Sequence, residues 1–325
     1  MKIFKPNSTK EINQIFREEV RVQIRGRNTK GFSLNPNYPV LSTENLNNIQ
    51  YYNPTDCLVT VQPGISMEEL YSTLAKYNQT VYLDQMFLPA GTVGGRLSMP
   101  SIFPLEIVKG VKDSHITRIE MCLPGWDTVS FGANTLKNVA GYHLEKLLSG
   151  TLGLLGCITS VTLRTYPLSD SNEIWLIECG SYEELREMEK LFMNELIATG
   201  TDYYNDYSRY WVIIKNLPKK LLANVKSANS MNILGDIKEF SSIVKAPLNY
   251  IGSFKVMKKD ELGKLHNLAK KNDWFIVGTN RSQYYNILAR DKETVTALNS
   301  VEDNLHNDYF LQVFKNYIDP RKVLC

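Results

Sequence analysis

The chain has 325 residues, 43% hydrophobic and 22% charged, with 37 basic against 34 acidic side chains and a formal net charge of +3. That length exceeds one average domain and leaves room for two cores, while interspersed charges of nearly balanced sign give no footing for a nucleic-acid or membrane-surface partner. The five cysteines, Cys57, Cys122, Cys157, Cys179 and Cys325, are scattered without a C-x-x-C pair, which argues against a disulfide framework, a zinc site or an iron-sulfur site and for a reduced intracellular setting.

The opening Met1-Lys2-Ile3-Phe4-Lys5-Pro6 has no long apolar core, and no window approaches the roughly twenty apolar residues of a membrane-spanning helix. A cytoplasmic protein is expected, attached to a membrane only through a partner. Ser8 with Glu11 forms a capping box ahead of Ile12, Ile15 and Phe16 on one helical face. Val20, Val22 and Ile24 then alternate as in a strand and deliver the chain to Arg25-Gly26-Arg27-Asn28-Thr29-Lys30-Gly31. Read alone, this loop is either a solvated turn or a cluster of main-chain donors and cations that holds an anion such as a pyrophosphate.

Val40-Leu41-Ser42-Thr43 follows, with Ser42 and Thr43 readable as a capping pair. Leu58, Thr60 and Val61 suit a buried strand that Pro63-Gly64 ends, and Ser66 with Glu69 caps a helix through Leu70 and Leu74. Pro89-Ala90-Gly91-Thr92-Val93-Gly94-Gly95 is a second glycine-rich loop. Neither G-x-G-x-x-G nor G-x-x-x-x-G-K-[ST] occurs anywhere in the chain, so a Rossmann fold and a P-loop are both poorly supported. Ile119, Met121 and Leu123 alternate as a strand before a Pro124-Gly125 turn.

The stretch from Lys137 to Pro167 organises the rest. Leu144, Leu147 and Leu148 lie at helical spacing, Gly150, Gly153 and Gly156 remove side chains at every third residue, and Val161 and Leu163 resume with a period of two. Such glycines let something press on the backbone. Another backbone and a flat ligand both satisfy that, and spacing alone does not choose. From Ile174 a new alternation begins. It comprises a strand to Cys179, a helix capped by Ser181 and Glu184, an aromatic strand Tyr210 to Ile214, a helix from Glu261 to Ala269, strands near Trp274 to Val277 and Tyr284 to Leu288, and a helix from Glu293 into Leu305. This reads as an antiparallel sheet with helices on one side, an α+β unit. Its candidate polar groups are Arg209, Arg281, Arg290, His266 and His306, with His266 more simply a packing residue on its helix.

These segments, in this order, resemble the FAD-binding domain of the vanillyl-alcohol oxidase and para-cresol methylhydroxylase superfamily, and within it the smaller FAD-binding subunits of bacterial glycolate oxidases. The resemblance rests on Arg25 to Gly31, Ser42-Thr43 with its following strand, Gly91-Thr92-Val93-Gly94-Gly95, and Gly110 with Asp113. It rests further on Lys137-Asn138 with Gly141-Tyr142, the triplet Gly150, Gly153 and Gly156, Pro167, and an Asp319-Pro320 ending. It covers roughly residues 17 to 167 and the last dozen residues. It implies an α+β protein: a two-subdomain FAD-binding domain over 1–167, a smaller antiparallel α+β cap over 168–309, and a C-terminal segment, 310–325, returning to the first domain.

The resemblance also implies that FAD contacts Arg25, Gly26, Arg27, Asn28, Thr29, Lys30, Ser42, Pro89, Gly91, Thr92, Val93, Gly94, Gly95, Gly110, Asp113, Asn138, Gly141, Gly150, Gly153, Gly156 and Ile158. Arg27 and Asn28 stand where relatives have glycine, and the loop has no histidine for covalent attachment, so FAD is expected to be noncovalent. The space beside Gly94 and Gly153 is expected to belong to the ring or adenine. The implied activity is that of an oxidoreductase subunit in a complex oxidising glycolate or another small 2-hydroxy acid, taking part in electron transfer beside a larger homologous flavin subunit and an iron-sulfur subunit. The alternatives are a self-sufficient FAD-dependent dehydrogenase or oxidase of another alcohol or sugar, and an assembly subunit without flavin. The sequence names no catalytic residue and no metal ligands.

Overall fold

The computed structural model describes residues 2–19, 21–29, 35–81, 83, 91–99, 115–136, 144–168, 174–192, 196–204, 207–215, 230–234, 249–255, 259–271, 273–279, 284–289 and 323. Strand β1 (Ile3–Phe4) and helix α1 (Thr9–Glu18) open the chain, and β2 (Gln23–Arg25) and β3 (Val40–Ser42) complete a three-stranded parallel sheet in the order β1-β3-β2. The Ser8 side chain accepts the Glu11 N–H as its capping box requires, and Ile12, Ile15 and Phe16 of α1 are buried. Near the free edge of β2, the Val22 N–H donates to the Val323 carbonyl at 2.7 Å, and Val323 joins Ile12, Phe16, Val22 and Leu41 in one apolar cluster.

A second, five-stranded sheet has the order β4-β5-β9-β7-β8, built from β4 (Ile49–Asn53), β5 (Leu58–Val61), β7 (Ile116–Cys122), β8 (Thr128–Gly132) and β9 (Cys157–Arg164). Antiparallel register places Val59 beside Leu163, Val61 beside Val161 and Ile119 beside Val161 on one face. That face packs against Leu70 and Leu74 of α2 (Met67–Ala75) and Val93 and Leu97 of α3 (Val93–Leu97). Each such side chain taken fully out of water contributes roughly 1.5–3 kcal/mol. The alternate residues form a polar ladder. Thr60 and Thr162 share a hydrogen bond of 2.9 Å, the Thr162 hydroxyl donates to Asn134 at 2.9 Å, and the Ser160 hydroxyl donates to Gln50 at 2.6 Å. A two-stranded pairing of β6 (Gln79–Thr80) with β10 (Tyr166–Pro167) closes this region, and α4 (Leu144–Leu147) precedes β9.

The remaining strands are β11 (Ile174–Cys179), β12 (Leu196–Tyr204), β13 (Tyr207–Lys215), β14 (Ser230–Leu234), β15 (Asn249–Lys255), β16 (Phe275–Thr279) and β17 (Tyr284–Ala289). They form a seven-stranded antiparallel sheet in the order β14-β11-β13-β12-β16-β17-β15. Helix α5 (Tyr182–Leu191), capped by Ser181, packs Leu185 and Met188 on Ile177, Cys179, Val212 and Ile214. Helix α6 (Lys259–Lys271) brings Leu262 and His266 against Thr199, Thr201 and Ile276, residues of that same face. The expected α+β class is therefore present, with both described helices on one side. The anticipated helix from Glu293 to Leu305 lies outside the described residues, as does all of the C-terminal segment except Val323.

Candidate functional site

Three glycine-bearing loops interlock. Strand β2 ends at Arg25, which pairs in parallel register with Ser42, and the Arg25 carbonyl accepts the Thr43 N–H at 2.9 Å and the Thr43 hydroxyl at 3.3 Å. The chain then turns at Gly26, where an added Cβ would lie 2.5 Å from Thr92 Oγ1. Only a bare backbone allows the first loop that close to the second. Thr92 in turn caps α3 by accepting the Gly95 N–H at 3.2 Å. The second loop is riveted to the Pro63-to-Met67 turn by Met67 N–H to Gly91 carbonyl, Val93 N–H to Ile65 carbonyl and Gly94 N–H to Pro63 carbonyl, at 3.1, 3.0 and 2.8 Å.

The third loop closes the circle. At the C-terminus of α3, the Leu97 carbonyl accepts the Gly150 N–H at 2.7 Å and the Ser149 hydroxyl at 3.1 Å, and the Ser98 carbonyl accepts the Leu152 N–H at 2.8 Å. These carbonyls are groups a helix end leaves without intrahelical partners. Gly153, at φ +80°, then returns to strand β2, where a Cβ would sit 3.2 Å from Ile24 Cβ. First loop touches second, second touches third, and third touches the stem of the first.

The individual expectations fall as follows. Ser42 and Thr92 are buried at this junction, while Arg27 and Asn28 are exposed and Thr29 is half-buried. Asn28 adopts φ +52°, the left-handed conformation that asparagine tolerates best among residues with a Cβ. Replacing glycine there has therefore kept the backbone option glycine would give. The side chains of Val93 and Ile158 lie in the apolar core, the Val93 N–H is bonded to Ile65, and Ile158 pairs with Met121 in the sheet. An added Cβ at Gly94 would meet Pro63 Cβ at 2.5 Å, and one at Gly156 would meet Leu123 Cδ2 at 2.6 Å. The expectation that a side chain at Gly94 or Gly153 would enter ring or adenine space is thus corrected: Pro63 and Ile24 occupy those directions. Lys30, Pro89, Gly110, Asp113, Asn138 and Gly141 lie outside the described residues.

FAD fits this junction on one count: Arg25 carries a buried Nε without a hydrogen-bond partner, a donor that an anionic cofactor would satisfy. No group of three or more metal-ligating side chains is present among the described residues.

The second sheet offers no comparable convergence. On the face opposite the described helices Arg209 pairs with Glu178 at 3.2 Å and lies over the Trp211 ring at 5.0 Å, with Asp202 as its register neighbour on β12. His266 is on the other face, set edge-on to Tyr182 at 4.9 Å. There it lines a water-sized gap with Tyr182, Arg186, Thr201 and Tyr285. Burial, and then the Arg186 charge, pull His266 down to about 4. The sheet stands between Arg209 and His266, so these two do not form a clamp and base on one substrate. Arg281, Arg290 and His306 lie outside the described residues. His115 sits in a turn, fully buried, with Nδ1 2.7 Å from the Tyr166 hydroxyl.

Residues 2–146 match the family model described as FAD binding domain. The chain is 28% identical over 166 residues to a mitochondrial D-lactate dehydrogenase [cytochrome] of Arabidopsis thaliana, covering 49% of this chain and 29% of that protein. It is 22% identical over 198 residues to glycolate oxidase subunit GlcE of Escherichia coli, covering 60% of this chain and 57% of the relative. Glycolate oxidase subunit GlcD of Bacillus subtilis is 26% identical over 181 residues, or 54% of this chain and 38% of the relative. The chain thus spans little more than half, or less, of the length of these relatives. Among solved structures, alkyldihydroxyacetonephosphate synthase superposes with a TM-score of 0.68 at 12% identity, over 99% of this chain and 75% of the other, a likeness of fold. The resemblance read from the glycine loops is borne out, and FAD is the cofactor these matches support.

Proposed function

We propose, taking as premise an FAD-binding oxidoreductase of the para-cresol methylhydroxylase type, that this chain is a flavin-carrying subunit of a complex oxidising glycolate or a similar small 2-hydroxy acid. The observation that carries the reading is the contact between the first two glycine loops, Gly26 against Thr92, which brings them together within residues 2–146, where the FAD-binding match lies. Bound there, FAD supplies the redox chemistry by accepting and passing on two electrons. The chain's own part is to hold and orient it. Arg25, Gly26, Thr92 and the Gly150-to-Gly153 turn line the loop junction, and Ser42 and Thr43 brace the stem of the first loop.

The split between Arg209 and His266 supports a subunit role over self-sufficient oxidation. Oxidising a 2-hydroxy acid calls for a cation on the carboxylate and a base on the hydroxyl at one spot, and the described residues of the second sheet hold their candidates apart. The substrate-oxidising site then belongs to a homologous larger flavin subunit, with an iron-sulfur subunit as onward electron acceptor, in a cytoplasmic complex. The test is anaerobic mixing of the purified chain with glycolate or D-lactate. Its flavin is expected to stay oxidised when alone and to bleach once the partner flavin subunit is added. Rapid bleaching of the isolated chain would establish the self-sufficient alternative instead.

A further inference from the structure

We propose that Cys122 and Cys157 form a redox-sensitive pair that a two-electron peroxide oxidant closes into a cross-strand disulfide. The two are register partners on adjacent antiparallel strands, Cys122 as the last residue of β7 and Cys157 as the first of β9. Opposed residues of such strands have Cα atoms about 4.5–5.5 Å apart, inside the roughly 4.4–6.8 Å that a disulfide spans. Both side chains point to the same face of the sheet, since both belong to the apolar cluster that holds Ile12 and Phe16 of α1. Each stands at the end of its strand, where the ladder constrains the backbone from one side only.

Both thiols are free, and neither is committed to a strong partner. Cys122 Sγ donates to the Thr9 carbonyl at 3.7 Å and lies 3.5 Å from the Thr128 hydroxyl on edge strand β8, while Cys157 Sγ donates to the Ile158 carbonyl at 3.6 Å. Burial raises Cys122 above the ordinary thiol value, and burial, then the neighbouring Cys122, do the same to Cys157. Buried, protonated thiols react slowly, so the pair oxidises when the β7–β8 hairpin opens locally. Cys122, beside the edge strand, is reached first. Its thiolate attacks the peroxide O–O bond and becomes a sulfenic acid, and the departing hydroxide takes up the thiol proton as water. Cys157 then attacks that sulfur, the S–S bond forms and a second water leaves, so two thiols and one hydrogen peroxide yield one disulfide and two waters. The crosslink encloses residues 123–156 and fixes the root of the third glycine loop, where a Cβ on Gly156 would already lie 2.9 Å from the Cys122 carbonyl. Cys57 and Cys179 are placed differently: Gln79 donates to the first at 3.9 Å, and Tyr210 opposes the second.

The test exposes the purified chain to hydrogen peroxide, in buffer and in urea below its unfolding midpoint, quenches with catalase, and alkylates the remaining thiols after denaturation. Peptide mass spectrometry is expected to show the Cys122 and Cys157 peptides joined, two hydrogens lighter than their sum, sooner in urea than in buffer, and separated again by dithiothreitol. The oxidised chain is expected to melt roughly 5–10 °C higher, because a closed loop restrains the unfolded chain. Cys122→Ala and Cys157→Ala should each lose the joined peptide and the shift in Tm, while Cys57→Ser and Cys179→Ser keep both. Finding Cys122 and Cys157 fully alkylated after peroxide in urea would overturn the proposal, as would either of them recovered as a sulfinic acid, or joined to a different cysteine, with no Cys122–Cys157 peptide.

Discussion

In the region of the glycine loops, short loops hold one another through main chain, and Gly26, Gly94 and Gly153 each have a neighbour that a side chain would strike. In the second region a seven-stranded sheet holds itself through its own ladder, and its titratable groups are spread over both faces. The first arrangement leaves the buried Arg25 Nε without a partner at the stem of the first loop. The second pairs its charges internally, Arg209 with Glu178 and Arg186 with Glu189. A site for an anionic ligand is expected where a charged donor is left over, and the buried Arg25 Nε is such a donor.

The contrast breaks most visibly at Gly94. Its Cβ direction meets Pro63 Cβ at 2.5 Å and Pro63 carbonyl at 3.0 Å, so Gly94→Leu is expected to overpack the second loop and cost about 3 kcal/mol. Differential scanning calorimetry should show a drop in Tm of roughly 6–12 °C for a unit of this size. A variant that melts like wild type would mean the loops are not braced as described.

The second sheet is probed by acid. His266 has an ordinary value of 6.5 and about 4 in the fold, so below pH 6.5 the unfolded chain takes up a proton the folded chain refuses. Stability is full above about 6.5, falls as the pH drops towards 4 and levels off below it, a loss of roughly 3 kcal/mol. Denaturant melts at pH 7 and pH 4.5 should differ by most of that amount, and His266→Gln should flatten this part of the profile. A slope unchanged by the substitution would put the acid sensitivity elsewhere.

Smaller effects sharpen the picture. Ser181→Ala removes the acceptor of the Glu184 N–H at the start of α5 and is expected to cost about 1 kcal/mol in urea denaturation. Arg209→Ala breaks a half-exposed ion pair and should change stability by under about 1 kcal/mol, with FAD binding unaltered. A large loss of flavin in that variant would tie the second sheet to the cofactor more closely than the geometry indicates.

Much of this was legible before any coordinates. Capping boxes at Ser8, Ser66 and Ser181 are local chemistry, and each caps its helix. The three glycine loops were legible as contact points but not as partners of one another, because Gly26 meets Thr92 and Gly153 meets Ile24 across long stretches of chain. Helix α3 does not show in the sequence pattern because two of its five residues are glycine. Strand β12 escaped notice for a related reason. A register shift between Leu196 and Ala198, with Gly200 and Asp202 beyond it, erases the simple alternation of a strand, although β12 is central in its sheet. The separation of Arg209 from His266 depends on pairing register and was invisible to motif reading. The unsatisfied Arg25 Nε is likewise a property of packing alone.

The central claim, that the loop junction holds FAD without a covalent bond, is tested most directly by the absorption spectrum of the purified protein before and after acid precipitation. The account predicts flavin bands on the native protein, and FAD recovered wholly in the supernatant once the chain is precipitated. A colourless protein that takes up no added FAD, or flavin that stays with the precipitate, would contradict it.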